Sequence, residues 1–161
     1  MSLHPPIPCL WFNGQAEQAA RFYAELLGGE VGRISHYGAG MHMPAGTAML
    51  VEFTLRGTPY QALNGGPTYA LTPAMSLSVA CETQAEIDRL WDALLADGGI
   101  ESQCGWLNDR FGLSWQIFPA FMPDILAGPD KEGAARAMQA MMGMIKLDLA
   151  VLKAAFEGKT N

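Results

Sequence analysis

Apolar residues recur at helical spacing in two stretches that copy one another. Ala19, Phe22, Tyr23, Leu26 and Leu27 form one stripe; Ile87, Leu90, Trp91, Leu94 and Leu95 form the other. Gln15-Ala16-Glu17 recurs as Gln84-Ala85-Glu86, Phe22 matches Trp91, and Leu26 matches Leu95. Each stretch reaches a glycine pair, Gly28-Gly29 or Gly98-Gly99, that marks a helix stop. Thr83 followed by Glu86 has the spacing of a capping box at the second helix start.

Short apolar runs precede both helices. They cover Ile7 to Phe12 and Met75 to Cys81, the latter alternating large apolar with small residues as a one-sided strand does. Further strands are predicted over Glu30 to His36, Met49 to Leu55 and Thr58 to Leu63, then over Glu101 to Leu107 and Leu113 to Phe118. Arg56 to Pro59 and Asn108 to Gly112 read as hairpin turns. The order is β-α-β-β-β written twice, an α+β fold with modules of about 1–70 and 71–127. Past Pro119, Pro123, Gly128 and Pro129 punctuate the chain. Lys131 to Met144 and Lys146 to Phe156 then read as helices of a C-terminal extension over 128–161, too short for a core of its own.

Composition narrows the function classes. Hydrophobic residues make up 50% and charged ones 16% of 161 residues, which excludes a disordered chain. A net charge of -6 with scattered basic residues argues against nucleic acid as a partner. No apolar run reaches membrane-spanning length, and Met1 to Leu10 lacks the pattern of a secretion signal, so the expected location is cytoplasmic. Cys9, Cys81 and Cys104 are too few and too scattered for a disulfide framework or a zinc ribbon.

Three segments carry a resemblance: P-C-L-W-F-N-G-Q-A-E-Q-A-A-R-F-Y at Pro8 to Tyr23, A-L-N-G-G-P at Ala62 to Pro67, and S-Q-C-G-W-L-N-D-R-F-G-L-S-W-Q at Ser102 to Gln116. Together with the paired βαβββ string, they resemble the PhnB-like branch of the vicinal-oxygen-chelate superfamily, often labelled 3-demethylubiquinone-9 3-methyltransferase-like. That superfamily includes glyoxalase I, extradiol dioxygenases and bleomycin-resistance proteins. The resemblance implies curved sheets around a cup, with four positions that hold a divalent metal in the metalloenzymes. Aligned on this chain, those positions fall on Pro8, Asn64, Ser76 and Gln116. Proline has no ligand atom and the other three offer only neutral oxygens, so no metal and no cofactor is expected. No glycine-rich S-adenosylmethionine loop follows the first strand, so the methyltransferase label has no support in the residues.

Other candidates have plain structural readings. His36 and His42, in a glycine-rich stretch, read as loop histidines more than as a lid base or a stray metal pair. Glu52, the one carboxylate of its strand, marks a solvent side or serves as a general base. The three cysteines read as small buried hydrophobes. Trp91 belongs to the core, Trp11 and Trp115 are expected to face the helices, and Trp106 is left open. Asn64-Gly65-Gly66-Pro67 reads as a turn, and Met138, Met141, Met142 and Met144 as a self-packing face.

The expected function is small-molecule binding in the cup without a transition metal. Asn64, Ser76, Ser78, Ser114 and Gln116 would supply neutral hydrogen bonds, and Phe12 and Tyr60, with Leu10 and Phe118, apolar wall. The alternatives are a metal-dependent enzyme acting on a small oxygenated substrate, and an interaction module. Pairing as a homodimer is what the resemblance implies.

Overall fold

The computed structural model describes residues 3–159. The chain divides into two compact units, Met1–Leu71 and Thr72–Asn161. The first contains β1 (Cys9–Phe12), α1 (Ala16–Leu27), β2 (Gly29–His36), β3 (Ala48–Leu55) and β4 (Thr58–Asn64). The second contains β5 (Ser76–Cys81), α2 (Gln84–Leu95), β6 (Ile100–Glu101), β7 (Trp106–Asn108) and β8 (Ser114–Pro119). It continues with α3 (Met122–Ala127), α4 (Lys131–Met142) and α5 (Leu149–Phe156). Each unit has one four-stranded sheet, ordered β1-β4-β3-β2 and β5-β8-β7-β6. The two orders are the same permutation, as an internal repeat requires.

The repeat also holds for the helices. Each helix packs on its own sheet, and the helix face can be assigned by contact. In the first unit the Tyr23 ring of α1 lies 6.5 Å from the Phe53 ring of β3. In the second, the Trp91 indole of α2 donates to the Glu101 carboxylate, and Glu101 pairs across to Leu107, which pairs to Trp115. Alternation along the strands then places Leu10, Phe12, Val51, Phe53, Leu55 and Ala62 under α1. Leu107, Leu113, Trp115 and Ile117 lie under α2, all four fully buried.

The two helix starts differ. Thr83 accepts from Glu86 N while the Glu86 carboxylate receives two backbone N–H groups, the predicted capping box. Gln15, which opens α1, makes no side-chain cap. Small residues do more of the packing on α1 than its stripe suggested: Ala16, Ala19, Ala20, Tyr23 and Ala24 are buried, while Phe22, Leu26 and Leu27 are only half-buried.

Three predicted boundaries need correction. The strand expected over Glu101 to Leu107 is broken into β6 and β7, because Cys104 (φ 59°) and Gly105 (φ 80°) turn left-handed between them. A helix, α3, forms where Pro123 had suggested only punctuation; proline sits in the first turn, where no N–H donor is required. The last helix starts at Leu149, after Asp148 caps Val151 N at 2.9 Å. The segment before it is irregular and hydrogen-bonds the β6–β7 turn, with Cys104 N donating to Met144 O and Gly105 N to Ile145 O, both at 2.8 Å. Met122, Leu147 and Leu152 form the core of this extension, joined by Phe118, Phe121 and Met141.

Candidate functional site

In the second unit, the sheet face opposite α2 carries a polar row. Ser76 pairs with Ser114 and Ser78 with Gln116 on the parallel strands β5 and β8. Across β7, Asn108 pairs with Ser114 and Trp106 with Gln116. The four side chains expected to act in this half, Ser76, Ser78, Ser114 and Gln116, therefore stand together on one face. Two of them bond each other, the Gln116 amide donating to Ser76 Oγ at 2.8 Å, and Ser114 Oγ donates to Asn108 Oδ1 at 2.7 Å. Trp106 shares this face, and Asn108 joins it without having been singled out in the sequence. Trp115 turns the other way as expected, its indole held by the Asp109 carboxylate at 2.8 Å.

The first unit departs from expectation. Phe12, Tyr60 and Asn64 lie on the α1 face of their sheet, not on its open face. Phe12 is buried, and Tyr60 stacks on Phe53 at 5.5 Å. Asn64 is 1% exposed and both ends of its amide are hydrogen-bonded. Its Oδ1 accepts from Ala16 N at 2.9 Å and its Nδ2 donates to Ala48 O at 2.8 Å. Tyr37 donates its hydroxyl proton to the Asn64 carbonyl, which leaves His42 Nε2, 3.2 Å away, to act as donor to that hydroxyl. His42 thus packs edge-on against Tyr37, while His36 is exposed at the end of β2.

Register identifies the positions that sequence alignment missed. Shifting by the repeat of 69 residues that joins Glu17 to Glu86 carries Cys9 onto Ser78. Cys9 pairs with Gln61 on β4 as Ser78 pairs with Gln116 on β8. Cys9 and Gln61, one residue on from Pro8 and three before Asn64, are therefore the open-face pair of the first sheet. Cys9 is exposed, not buried as expected, although desolvation by the surrounding sheet still raises its thiol pKa. Trp11 shares this open face, contrary to expectation; its indole donates to Gly66 O at 2.8 Å and meets the Tyr69 ring edge-on. Gly65 lies so close to the indole that a Cβ there would sit 2.2 Å from it, so the predicted Asn64–Pro67 turn also seats Trp11.

The same face holds a groove of about 320 Å³, lined by Glu30, Glu52, Thr54, Pro59 and Gln61 with Ile7 and Gly32 beside them; Tyr60 and Phe53 border it from positions whose side chains turn to α1. Glu52 is the direct cross-strand partner of Gln61. Its Oε1 takes a 2.6 Å bond from Arg33, and the carboxylate raises the guanidinium pKa above its ordinary value. Cys81 lies under α2, and burial, with Glu86 nearby, pushes its thiol up to about 11.

A divalent metal of the kind the resemblance implies does not fit these donors. Asn64 is spent on α1, Ser76 and Gln116 are bonded to each other, and the register pairs offer a thiol, a hydroxyl and two amides. Among the described residues, no three His, Cys, Asp or Glu side chains stand close enough to hold a metal ion. No helix among them is long and apolar enough to cross a membrane.

Residues 5–118 match the model of the 3-demethylubiquinone-9 3-methyltransferase family, and the chain belongs to that family. It is similar to the PhnB protein from Bacillus cereus at 35% identity, over 71% of this chain and 98% of that one, with a TM-score of 0.65. A Pseudomonas aeruginosa protein matches at 26% identity over 73% and 98% of the two chains, with a TM-score of 0.59. A fosfomycin resistance protein from Mesorhizobium loti shares the fold at 10% identity, over 80% and 100% of the chains, with a TM-score of 0.54. Comparison with curated proteins gave no match.

Proposed function

We propose that this protein binds a small organic molecule without a resident transition metal, using the open face of its second sheet. The observation that carries this reading is the row of neutral side chains, Ser76, Ser78, Ser114 and Gln116, standing together beside Trp106. Such groups donate and accept without ionising, and an indole beside them supplies a flat apolar wall. Self-bonding of Gln116 to Ser76 satisfies the row when nothing is bound, and a ligand carbonyl or hydroxyl exchanges for that bond. Phe12, Tyr60 and Asn64 serve this function at one remove, by holding the first sheet to α1. We take the protein to be cytoplasmic and homodimeric; the eight-residue strand β2 at the edge of its sheet supports the pairing. Light scattering that reports only a 17.3 kDa species at micromolar concentration would overturn the dimer.

The test of binding is a thermal-shift panel of quinones, phenols and other neutral oxygenated compounds, run with and without chelator. A compound that raises the melting temperature equally in both, and binds Gln116→Leu about tenfold or more weakly, supports the reading. A response that appears only with an added divalent metal overturns it.

A further inference from the structure

Two sulfur atoms meet where the β6–β7 turn touches the end of α4: Cys104 Sγ lies 3.7 Å from Met142 Sδ. Met142 is the last residue of α4, and the half-buried Met138 stands one helical turn before it on the same face. Main-chain bonds hold the two elements together, from Cys104 N to Met144 O and from Gly105 N to Ile145 O. Gly105 permits this approach, because a Cβ there would sit 2.6 Å from Ile117 O and 2.9 Å from Leu147 Cδ1. Cys104 itself has φ 59°, a left-handed backbone that glycine adopts freely and other residues rarely do. A thiol is therefore kept where glycine would fit with less strain. Met142 is 60% exposed, so its thioether does not fill the core, whereas Met141 and Met144 pack against the core of the extension.

Thiolate and thioether are soft donors, and that pairing selects monovalent copper or silver. Zinc takes four donors drawn from thiolate, imidazole and carboxylate. Among the described residues no three such side chains stand together. With bonds of about 2.3 Å from each sulfur to a d10 ion, a separation of 3.7 Å corresponds to a roughly tetrahedral angle at the ion. The remaining positions stay open to a third donor. We infer that Cys104 and Met142, with Met138 as the third donor, bind one soft monovalent metal ion, copper(I) or silver(I). Binding releases the Cys104 proton to solvent, and the thiolate neutralises the charge of the ion. The site lies at the junction of the β6–β7 turn with α4, and the metal-free binding proposed for the open face does not depend on it.

Competition with bicinchoninate under argon, with ascorbate present, measures the copper(I) affinity. The wild-type protein should hold one equivalent. Cys104→Gly should weaken it about a hundredfold or more with no loss of melting temperature, since glycine takes this backbone freely. Met142→Leu should weaken it about tenfold and Met138→Leu about threefold. Tight binding should survive Cys9→Ser, which removes the other accessible thiol, and should survive zinc in about a hundredfold excess. In protein labelled at the methionine methyl groups, one equivalent of silver(I) should shift the Met142 and Met138 signals. Unchanged affinity in Cys104→Gly, unchanged affinity in both methionine variants, or displacement of copper(I) by zinc would each overturn the inference.

Discussion

Asn64 caps α1 from a strand 48 residues away: its side-chain oxygen accepts the Ala16 N–H at 2.9 Å. The same amide donates to Ala48 O at 2.8 Å, so one buried side chain ties the helix start to both β3 and β4. Asn64→Leu leaves a buried donor and a buried acceptor unpaired. Urea unfolding should show a loss of about 2 to 5 kcal/mol. Gln116→Leu breaks only a half-buried bond to Ser76 and should cost about 1 kcal/mol or less. Equal losses in the two variants would mean that Gln116 is also a structural group.

At α2 the cap is local. Thr83→Ala should lower stability by about 1 kcal/mol. Backbone N–H groups of Glu82 and Thr83 hold the Glu86 carboxyl below its ordinary pKa of 4.5. A lowered folded-state pKa means that its contribution is fully present above 4.5 and is lost as the pH falls through the lowered value. The stability gap between wild type and Glu86→Gln should therefore close in acid. A gap that persists unchanged well below the carboxylate range would contradict this.

Gln84 clasps the C-terminal extension: its Nε2 donates to Leu147 O at 3.1 Å and its Oε1 accepts from Leu149 N at 2.8 Å. Gln84→Ala should raise amide exchange at Leu149 and sensitise the chain to proteolysis between α4 and α5. Exchange at residues of the first unit should not change. Lys146, 2.9 Å from Asp88, adds a partly exposed ion pair worth little by itself.

Thiol labelling should be ordered by exposure and ionisation. Cys81 is 2% exposed with its thiol pushed up to about 11, so at pH 8 it should label only on unfolding. Cys9 is exposed and should label in the native protein. Native labelling of Cys81 as fast as Cys9 would show that α2 lifts readily from its sheet.

What the sequence revealed was governed by local signals. The two helices, the Thr83 capping box and the order of elements through β8 depend on residues a few positions apart, and those readings hold. Ser76, Ser78, Ser114 and Gln116 were legible because alternation on β5 and β8 is unbroken. The open-face pair Cys9 and Gln61 was missed because alignment through Pro8 and Asn64 put the wrong parity on β1 and β4. Only the β1–β4 register fixes that parity, and register is a long-range property. The groove depends on a missing side chain, Gly32 at a register shift, which leaves no apolar or polar pattern to read.

The contrast between the two helix caps sets a sequence of events in time. α2 carries its start signal within four residues, so its first turn is stabilised as soon as the helix nucleates. α1 borrows its signal from Asn64, so its first turn stays uncapped until the chain has closed a loop of 48 residues and β4 has docked. Two copies of one pattern therefore fold on different schedules: the second helix-first, the first only as its sheet closes. In rate measurements, Thr83→Ala should slow folding, whereas Asn64→Leu should act mainly by speeding unfolding.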